Sequence, residues 1–513
     1  MNIFKNRFTV CIAVLFVIVA VAFAIRMLGI TKIPVFADEA IYIRWSQVMR
    51  AEPTLRFLPL SDGKQPLFMW MVIPFLKIFH NPLVSGRVTS ALAGMGTLLG
   101  IVSLSYLISR SKKAALLSAF LYCLSPFMFF FDRMALVDSL LSCFGVWFLV
   151  LLIASIKYLR LDFALLAGFA LGGALLTKSP ALFFAILTPL SLFFVPWGSK
   201  KAPLLVFQTI GLWIATLVVG YGMAQILRLG PNYQMIAIRN LDYVFPLSHV
   251  ITNTKDPFIF NLDRAFEWMV ILAPFEVLLL ALIGYLVAIK KLSFKILVLL
   301  IAFAFPLLVG SMYSKSFTTR YILFTLPPLF VLAGFSSFLK SKWYLLIVGL
   351  FVVHALYFDV LLITNPVNAP LPESERSGYF EEWSSGFGIL ESANIIKEEA
   401  TAHPDEHIIV GTEGYFGTLP DGLQIYLEKI PNVVVVGTGL NFKSIPKELI
   451  EAKKSGAKTY FVVNSSRLNP EFKRDGLTLL YSFVKPMRMP GTHEYVSAGP
   501  QETFYFFELN SVK

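Results

Sequence analysis

The chain has 513 residues, of which 56% are hydrophobic and only 15% charged, and its formal net charge is +12. Soluble proteins carry about 25% charged residues, so a mean hydropathy of +0.70 excludes a chain that is soluble throughout. No basic patch interleaves with exposed aromatics, so the positive balance points to Lys- and Arg-rich cytoplasmic loops, not to nucleic acid.

Lys5 and Arg7 precede an apolar run from Phe8 to Ile30. That run is longer than a signal-peptide core and long enough to cross a bilayer, so it reads as an uncleaved first helix. A crossing helix needs roughly 20 apolar residues. Candidate spans are 9–30, 84–108, 114–131, 135–156, 163–177, 180–196, 204–226, 267–289, 296–313, 319–339 and 343–362, about eleven in all. With the N-terminus in the cytoplasm, the cytoplasmic turns carry Arg110-Ser-Lys-Lys113, Lys157 to Arg160, Lys200-Lys201, Lys290 to Lys295 and Lys340 to Lys342. Each is short and basic, as the positive-inside rule requires. The expected fold is therefore an α-helical polytopic membrane protein of the inner (plasma) membrane, with a transmembrane domain over 1–362. Large loops at 31–83 and 227–266 fall on the extracytoplasmic side, and loops of that size build sites.

Asn365-Pro366 and Pro370-Leu-Pro372 mark a linker. Beyond it, residues 363–513 are expected to form a soluble extracytoplasmic α/β domain. Strands are expected at 407–411, 433–437, 459–463, 477–481 and 503–507, and helices at 387–400, 419–429 and 445–456. Their alternation suggests a largely parallel sheet. Gly411-Thr-Glu-Gly-Tyr-Phe-Gly417 lacks the Lys-Ser/Thr of a phosphate loop and the spacing of a dinucleotide fingerprint, so it reads as a tight strand-to-helix turn. Cys11, Cys123 and Cys143 all lie in apolar runs, without metal-ligand or disulfide spacing.

Ionisable residues at membrane depth are costly and mark function by default. Four groups stand out: Asp38-Glu39 after the first span, Asp132-Arg133 with Asp138, Lys178, and Arg320-Tyr321. The topology sets all four at the extracytoplasmic ends of helices. Carboxylates can deprotonate a hydroxyl, and cations can hold a phosphate. Against this stands the plainer reading that such residues snorkel to the headgroups as anchors.

These residues and their order resemble the C-type (GT-C) membrane glycosyltransferases of family 39, which include protein O-mannosyltransferases and the lipid A aminoarabinose transferase. The resemblance rests on Asp38-Glu39 with Ala40-Ile-Tyr42, Gly63-Lys64-Gln-Pro-Leu67, Ser85-Gly-Arg87, Asp138, Thr177-Lys178-Ser179 and Arg320-Tyr321. It covers roughly residues 1–340. The α/β tail differs from the β-trefoil of eukaryotic members.

The resemblance implies a polyprenyl-phosphate-linked sugar donor held in the membrane, and an extracytoplasmic lipid, glycan or protein acceptor. It implies Asp38 as general base in an inverting transfer, with Glu39 and Asp138 as the other catalytic carboxylates. Lys178, Arg320, Lys64 and Arg87 would bind the donor phosphate, and Tyr42, Arg133 and Tyr321 the substrate. No cofactor or metal is required by the sequence, although oxygen ligands on Asp38 and Asp138 would suit Mg²⁺ or Mn²⁺. The rival reading is a transporter or flippase of a lipid-linked substrate, which calls for internal repeats and broken helices meeting at the midplane. The sequence shows no such repeat.

Overall fold

The structure is a computed structural model and describes residues 2–272 and 275–510. The chain divides into two compact units, Met1–Ile30 with Glu52–Met71 and Arg87–Pro372, and Thr31–Ala51 with Val72–Gly86 and Glu373–Lys513.

The first unit is helical. Six helices are long and apolar enough to cross a membrane: Thr9–Met27, Pro82–Ser109, Val137–Tyr158, Ala202–Leu229, Phe294–Tyr313 and Trp343–Thr364. Two bent pairs, Phe258–Leu272 with Phe275–Leu292 at 101° and Thr319–Thr325 with Pro327–Phe338 at 54°, raise the number to eight among the described residues. The expected count of eleven is not confirmed, and proline explains much of the difference. Pro126 divides the expected span 114–131 into Lys112–Leu124 and Pro126–Phe131. Pro180 and Pro189 reduce 180–196 to a series of short turns between Ser179 and Phe194. A ring nitrogen cannot donate to the helical ladder, and the residue before it avoids helical angles. The helix Leu161–Leu175 has only 15 residues, about 22 Å of rise at 1.5 Å each.

Helices approach closely where side chains are small. A Cβ on Gly284 would strike the Leu332 carbonyl oxygen, and one on Gly334 would strike Ser118 Oγ. Small residues permit such contact where the hydrophobic effect offers no drive between spans. One buried ion pair ties the first helix to the bundle. Arg26 Nε lies 2.9 Å from Asp132 Oδ2, with side-chain exposures of 0% and 1%. Asp132 also accepts from Tyr122 Oη at 3.0 Å and Ser139 Oγ at 2.8 Å. Arg26 Nη1 donates to the Ala22 and Cys123 carbonyls. Asp132 thus joins elements separated by more than a hundred residues.

The second unit holds a five-stranded sheet. Its strands are β1 (Ile408–Glu413), β2 (Val433–Gly439), β3 (Lys458–Asn464), β4 (Leu477–Val484) and β5 (Thr503–Leu509), in the order β2-β1-β3-β5-β4. All five expected strands form, and the three expected helices appear as Ile389–Ala402, Asp421–Leu427 and Lys447–Lys454. The sheet is mixed where a largely parallel one was expected. β1 is parallel to β2 and β3, while β5 is antiparallel to β3 and β4. β4 therefore runs in the same direction as β3, and β5, inserted between them, is the one reversed strand of the five. Phe461, Val463, Phe507 and Leu509 pack with Phe442 and Leu449 on one face.

Residues far upstream complete this unit. The helix Ala37–Ala51 packs along Asp421–Leu427, with Gln47 Nε2 donating to the Ile425 carbonyl at 2.9 Å. Arg50 pairs with Glu428 at 2.8 Å. The Phe36 and Tyr379 rings stack at 4.5 Å.

Removing one partner of a buried ion pair strands the other charge and costs about 3–5 kcal/mol. Asp132→Ala should therefore lower the unfolding temperature of the detergent-purified protein sharply. Replacing both partners with apolar residues of similar size should recover most of the loss, as a double-mutant cycle by thermal unfolding would read.

Candidate functional site

In the first unit, chain breaks bring four of the sequence-predicted residues to one polar cluster. The helix Val137–Tyr158 starts after an extended Leu136, which puts Asp138 in its first turn. A carboxylate there is favoured by the helix dipole. The helix Leu161–Leu175 ends at Leu176, and Lys178 follows with extended backbone angles, φ −162° and ψ 146°. Its side chain leaves at the break, and Nζ lies 2.6 Å from Asp138 Oδ1. Asp138 is buried, while the Lys178 side chain keeps 21% exposure. The same ammonium sits 4.1 Å from the Tyr321 ring centroid, and the Arg320 guanidinium carbon sits 5.7 Å from that centroid. Tyr321 lies in the turn Thr319–Thr325, just before Pro327-Pro328.

The loop around Lys64 is fastened to the same break. Leu67 N donates to the Leu176 carbonyl at 3.1 Å. Gln65 Nε2 donates to Ser179 Oγ at 2.9 Å. Beneath it Leu60, Leu176 and Leu227 form a small apolar core. Lys64 Nζ is 3.1 Å from Asp62 Oδ2, and Arg239 Nη2 is 3.0 Å from Asp62 Oδ1. Gly63 has φ +70°, and a Cβ there would meet Arg239 Cβ and the Met235 carbonyl oxygen at 2.7 Å. Only glycine fits that turn. Tyr243 completes the cluster: burial pushes its hydroxyl above the ordinary range, and it lies within electrostatic reach of Lys64 and Tyr321.

Arg87 and Arg133 sit elsewhere in this unit. Both are fully buried. Arg87 Nη1 donates to the Ile30 carbonyl at 2.5 Å, and Arg133 Nη2 to the Gly29 carbonyl at 3.0 Å. They hold the turn that ends the first helix, and Arg133 also stacks over Phe129 at 4.7 Å.

In the second unit, Asp38 and Glu39 occupy the first turn of Ala37–Ala51. Glu39 is fully buried and its Oε2 accepts from Phe36 N at 3.0 Å, so it caps the helix start. Asp38 is half-buried. Ala37 N donates to the Ser384 carbonyl at 3.1 Å, which fixes the start of the helix against 382–386. Tyr42 is buried and lies 6.1 Å from the Trp45 ring. Lys485 secures the same segment, donating to the Glu382 and Ser385 carbonyls at 2.9 Å.

Sequence reasoning missed Asp62, Arg239 and Tyr243. Asp62 stands two residues before the quoted Gly63-Lys64 element, and Arg239 lies in the second large loop, but their pairing spans 177 positions and no local pattern encodes it. It also missed Arg26 and Asp359, whose signal was legible as a charge inside an apolar span. Asp359 is buried in Trp343–Thr364, within electrostatic reach of Arg26 and Arg133.

Comparisons with known proteins agree with this architecture. Residues 63–221 match the family model for dolichyl-phosphate-mannose-protein mannosyltransferase. No curated protein matches the chain in sequence. Among solved structures, the chain is similar to the archaeal oligosaccharyltransferase AglB from Archaeoglobus fulgidus, in complex with an inhibitory peptide and a dolichol-phosphate. That match has a TM-score of 0.52 and 13% identity, and covers 90% of this chain and 70% of that one. It is equally similar to ArnT from Cupriavidus metallidurans bound to undecaprenyl phosphate, with a TM-score of 0.52 and 16% identity over 90% of this chain and 93% of that one. The solved structures share the fold, and the family match carries the enzyme class. The resemblance to family 39 and the assignment as a GT-C membrane glycosyltransferase are borne out.

Lys485 offers a pH test of the fold around the Asp38 helix. Burial drives its pKa down from 10.5 to about 8. Between those values the unfolded chain binds the extra proton, so this group's contribution to stability rises with pH and is lost below about pH 8. Unfolding temperatures measured from pH 7.5 to 10.5 should show that rise in the wild type relative to Lys485→Met.

Proposed function

We propose that the chain transfers a sugar from a polyprenyl-phosphate carrier to an acceptor on the extracytoplasmic side of the membrane, with inversion. The observation that carries this reading is the Lys178–Asp138 pair, in which Asp138 is buried and Lys178 partly exposed, with the ammonium over the Tyr321 ring that Arg320 also approaches. Lys178, paired with Asp138, and Arg320 flank the Tyr321 ring, Lys64 and Arg239 share Asp62, and Tyr243 lies within electrostatic reach of both groups. A lipid-phosphate-sugar diester carries one negative charge and gains a second when the glycosidic bond breaks. Fixed cations stabilise that developing charge and remove the need for a general acid.

Lys178 is the chief phosphate ligand. Its ammonium already bridges a carboxylate and a ring face, so a donor phosphate exchanges with Asp138 for one of its three protons. Asp138, released from the pair, orients a sugar or acceptor hydroxyl. Arg320 and Lys64 add charge, and Tyr321 supplies a ring for the sugar. Arg87 and Arg133 act through the Gly29–Ile30 turn as positioning residues. Asp38 takes the acceptor's proton as its oxygen bonds to the anomeric carbon, and the lipid phosphate leaves with the bonding pair. Glu39 caps the helix that carries this base. Asp38 and Asp138 are oxygen ligands of the type that would hold Mg²⁺ or Mn²⁺, which would add Lewis-acid charge at the phosphate. The N-terminus and the basic turns lie in the cytoplasm, and the sheet unit lies outside. A transporter reading lacks the internal repeat that it needs.

The test uses purified protein in lipid nanodiscs with a radiolabelled polyprenyl-phosphate sugar and a membrane-derived acceptor fraction. Asp38→Asn should cut transfer by about 10²–10⁴-fold, the usual worth of a positioned base, while donor binding stays unchanged. Lys178→Met should weaken binding of the lipid phosphate by roughly tenfold to a hundredfold, since a hydrogen bond to a charged group is worth about 1.5–3 kcal/mol. Wild-type turnover in Asp38→Asn would reject the base, and unchanged lipid-phosphate affinity in Lys178→Met would reject the phosphate site.

A further inference from the structure

The second unit carries a polar crevice that the transfer chemistry does not use. In the order β2-β1-β3, the chain leaves β1 for β2 on one side and returns past it to β3 on the other. Right-handed crossovers then put the helices Asp421–Leu427 and Lys447–Lys454 on opposite faces. The gap between the carboxyl ends of β1 and β3 is the topological switch point, where open α/β sheets bind ligands.

Glu413 ends β1 at that gap and is 3% exposed. Asn464 ends β3, and its backbone and side-chain nitrogens donate to the two oxygens of Glu413 at 2.6 and 2.9 Å. Arg467 Nε stands 3.5 Å from Glu413 Oε1. The Arg467 guanidinium lies 4.6 Å from the ring centroid of Trp383, which is 40% exposed. Among the described residues, Asn464 Oδ1 and Arg467 Nε are buried without a hydrogen-bond partner, and Asn464 as a whole is 1% exposed. A buried acceptor and a buried donor without hydrogen bonds, on two residues that both flank Glu413, are costly. They are the complement of a group that both donates and accepts.

We propose that this crevice binds a neutral saccharide. A sugar hydroxyl donates to Asn464 Oδ1 and accepts from Arg467, which matches both open atoms at once. The apolar C–H face of a pyranose fits the exposed edge and face of Trp383. A phosphate or carboxylate ligand is disfavoured because the Glu413 carboxylate forms the floor. The crevice also adjoins the Asp38 helix through the backbone: Trp383 precedes Ser384, whose carbonyl accepts from Ala37 N. This makes the ligand the acceptor side of the reaction. That role rests on the transfer reading, but the binding itself does not.

The test is an array of neutral oligosaccharides with terminal mannose, galactose, glucose or N-acetylhexosamine, probed with the full-length detergent-purified protein and no donor. At least one saccharide should bind, and Trp383→Ala and Glu413→Gln should each weaken it at least tenfold. Trp383→Phe, which keeps a ring, should retain most of the binding, and thermal unfolding checks that each variant is folded. Absence of any saccharide binding by the wild type overturns the proposal, as does binding that both variants preserve, or preference for a parallel peptide panel. Transfer is assayed separately on the same preparations. Failed binding with intact transfer sinks only the crevice, and failed transfer with intact binding sinks only the transfer reading.

Discussion

A charge taken out of water must find a partner, and this requirement organises the membrane part of the protein. The two ion pairs that meet it do so differently. Arg26 and Asp132 are closed in on every side, and Asp132 uses both oxygens on Arg26, Tyr122 and Ser139. Such a pair is shut away from any ligand by its burial, so its product is geometry. Lys178 and Asp138 are joined as closely, but the ammonium side retains exposure and rests on an aromatic face. Desolvation is incomplete on the ammonium side alone, so Lys178 keeps an open face toward a second anion while Asp138 stays buried. Closure makes the first pair structural, and partial access makes the second usable.

The sequence showed the charges and their order more clearly than their roles. Asp138, Lys178, Arg320 and Lys64 were visible because a polar residue next to an apolar run is conspicuous. The convergence inferred from topology joined Asp38 to Asp138, Lys178 and Arg320; within the first unit the structure brings Asp138, Lys178 and Arg320 together around Tyr321. Arg87 and Arg133 were equally conspicuous but donate to the Ile30 and Gly29 carbonyls of a backbone turn. A guanidinium serving a backbone turn looks the same in sequence as one awaiting a phosphate. Helix count was obscured for a different reason. Hydropathy counts apolar residues, whereas Pro126, Pro180 and Pro327 decide whether those residues form one straight rod.

In the sheet unit, each expected strand and helix was legible because periodicity and β-branched runs act locally. The reversed direction of β5 was not, since it depends on its insertion between β3 and β4, which no local pattern states. Least legible of all was the recruitment of Ala37–Ala51. Gln47 reaches Ile425 across 378 positions of sequence, and nothing in an amphipathic segment after a first span states which surface it will meet. What reads as a loop helix is packed as part of the sheet unit's own fold.

That recruitment changes how the proposed base is held. A carboxylate on a free interfacial loop would sample many positions, and proton abstraction needs one. Here the helix carrying Asp38 is capped by Glu39, pinned at Ala37 to Ser384, stacked through Phe36 on Tyr379, and locked at its far end by Arg50 to Glu428. Each restraint is made by residues of the sheet unit or of the helix itself. The sheet unit is therefore the scaffold that fixes Asp38, the half-buried acid proposed as the base, on a segment that would otherwise be loose.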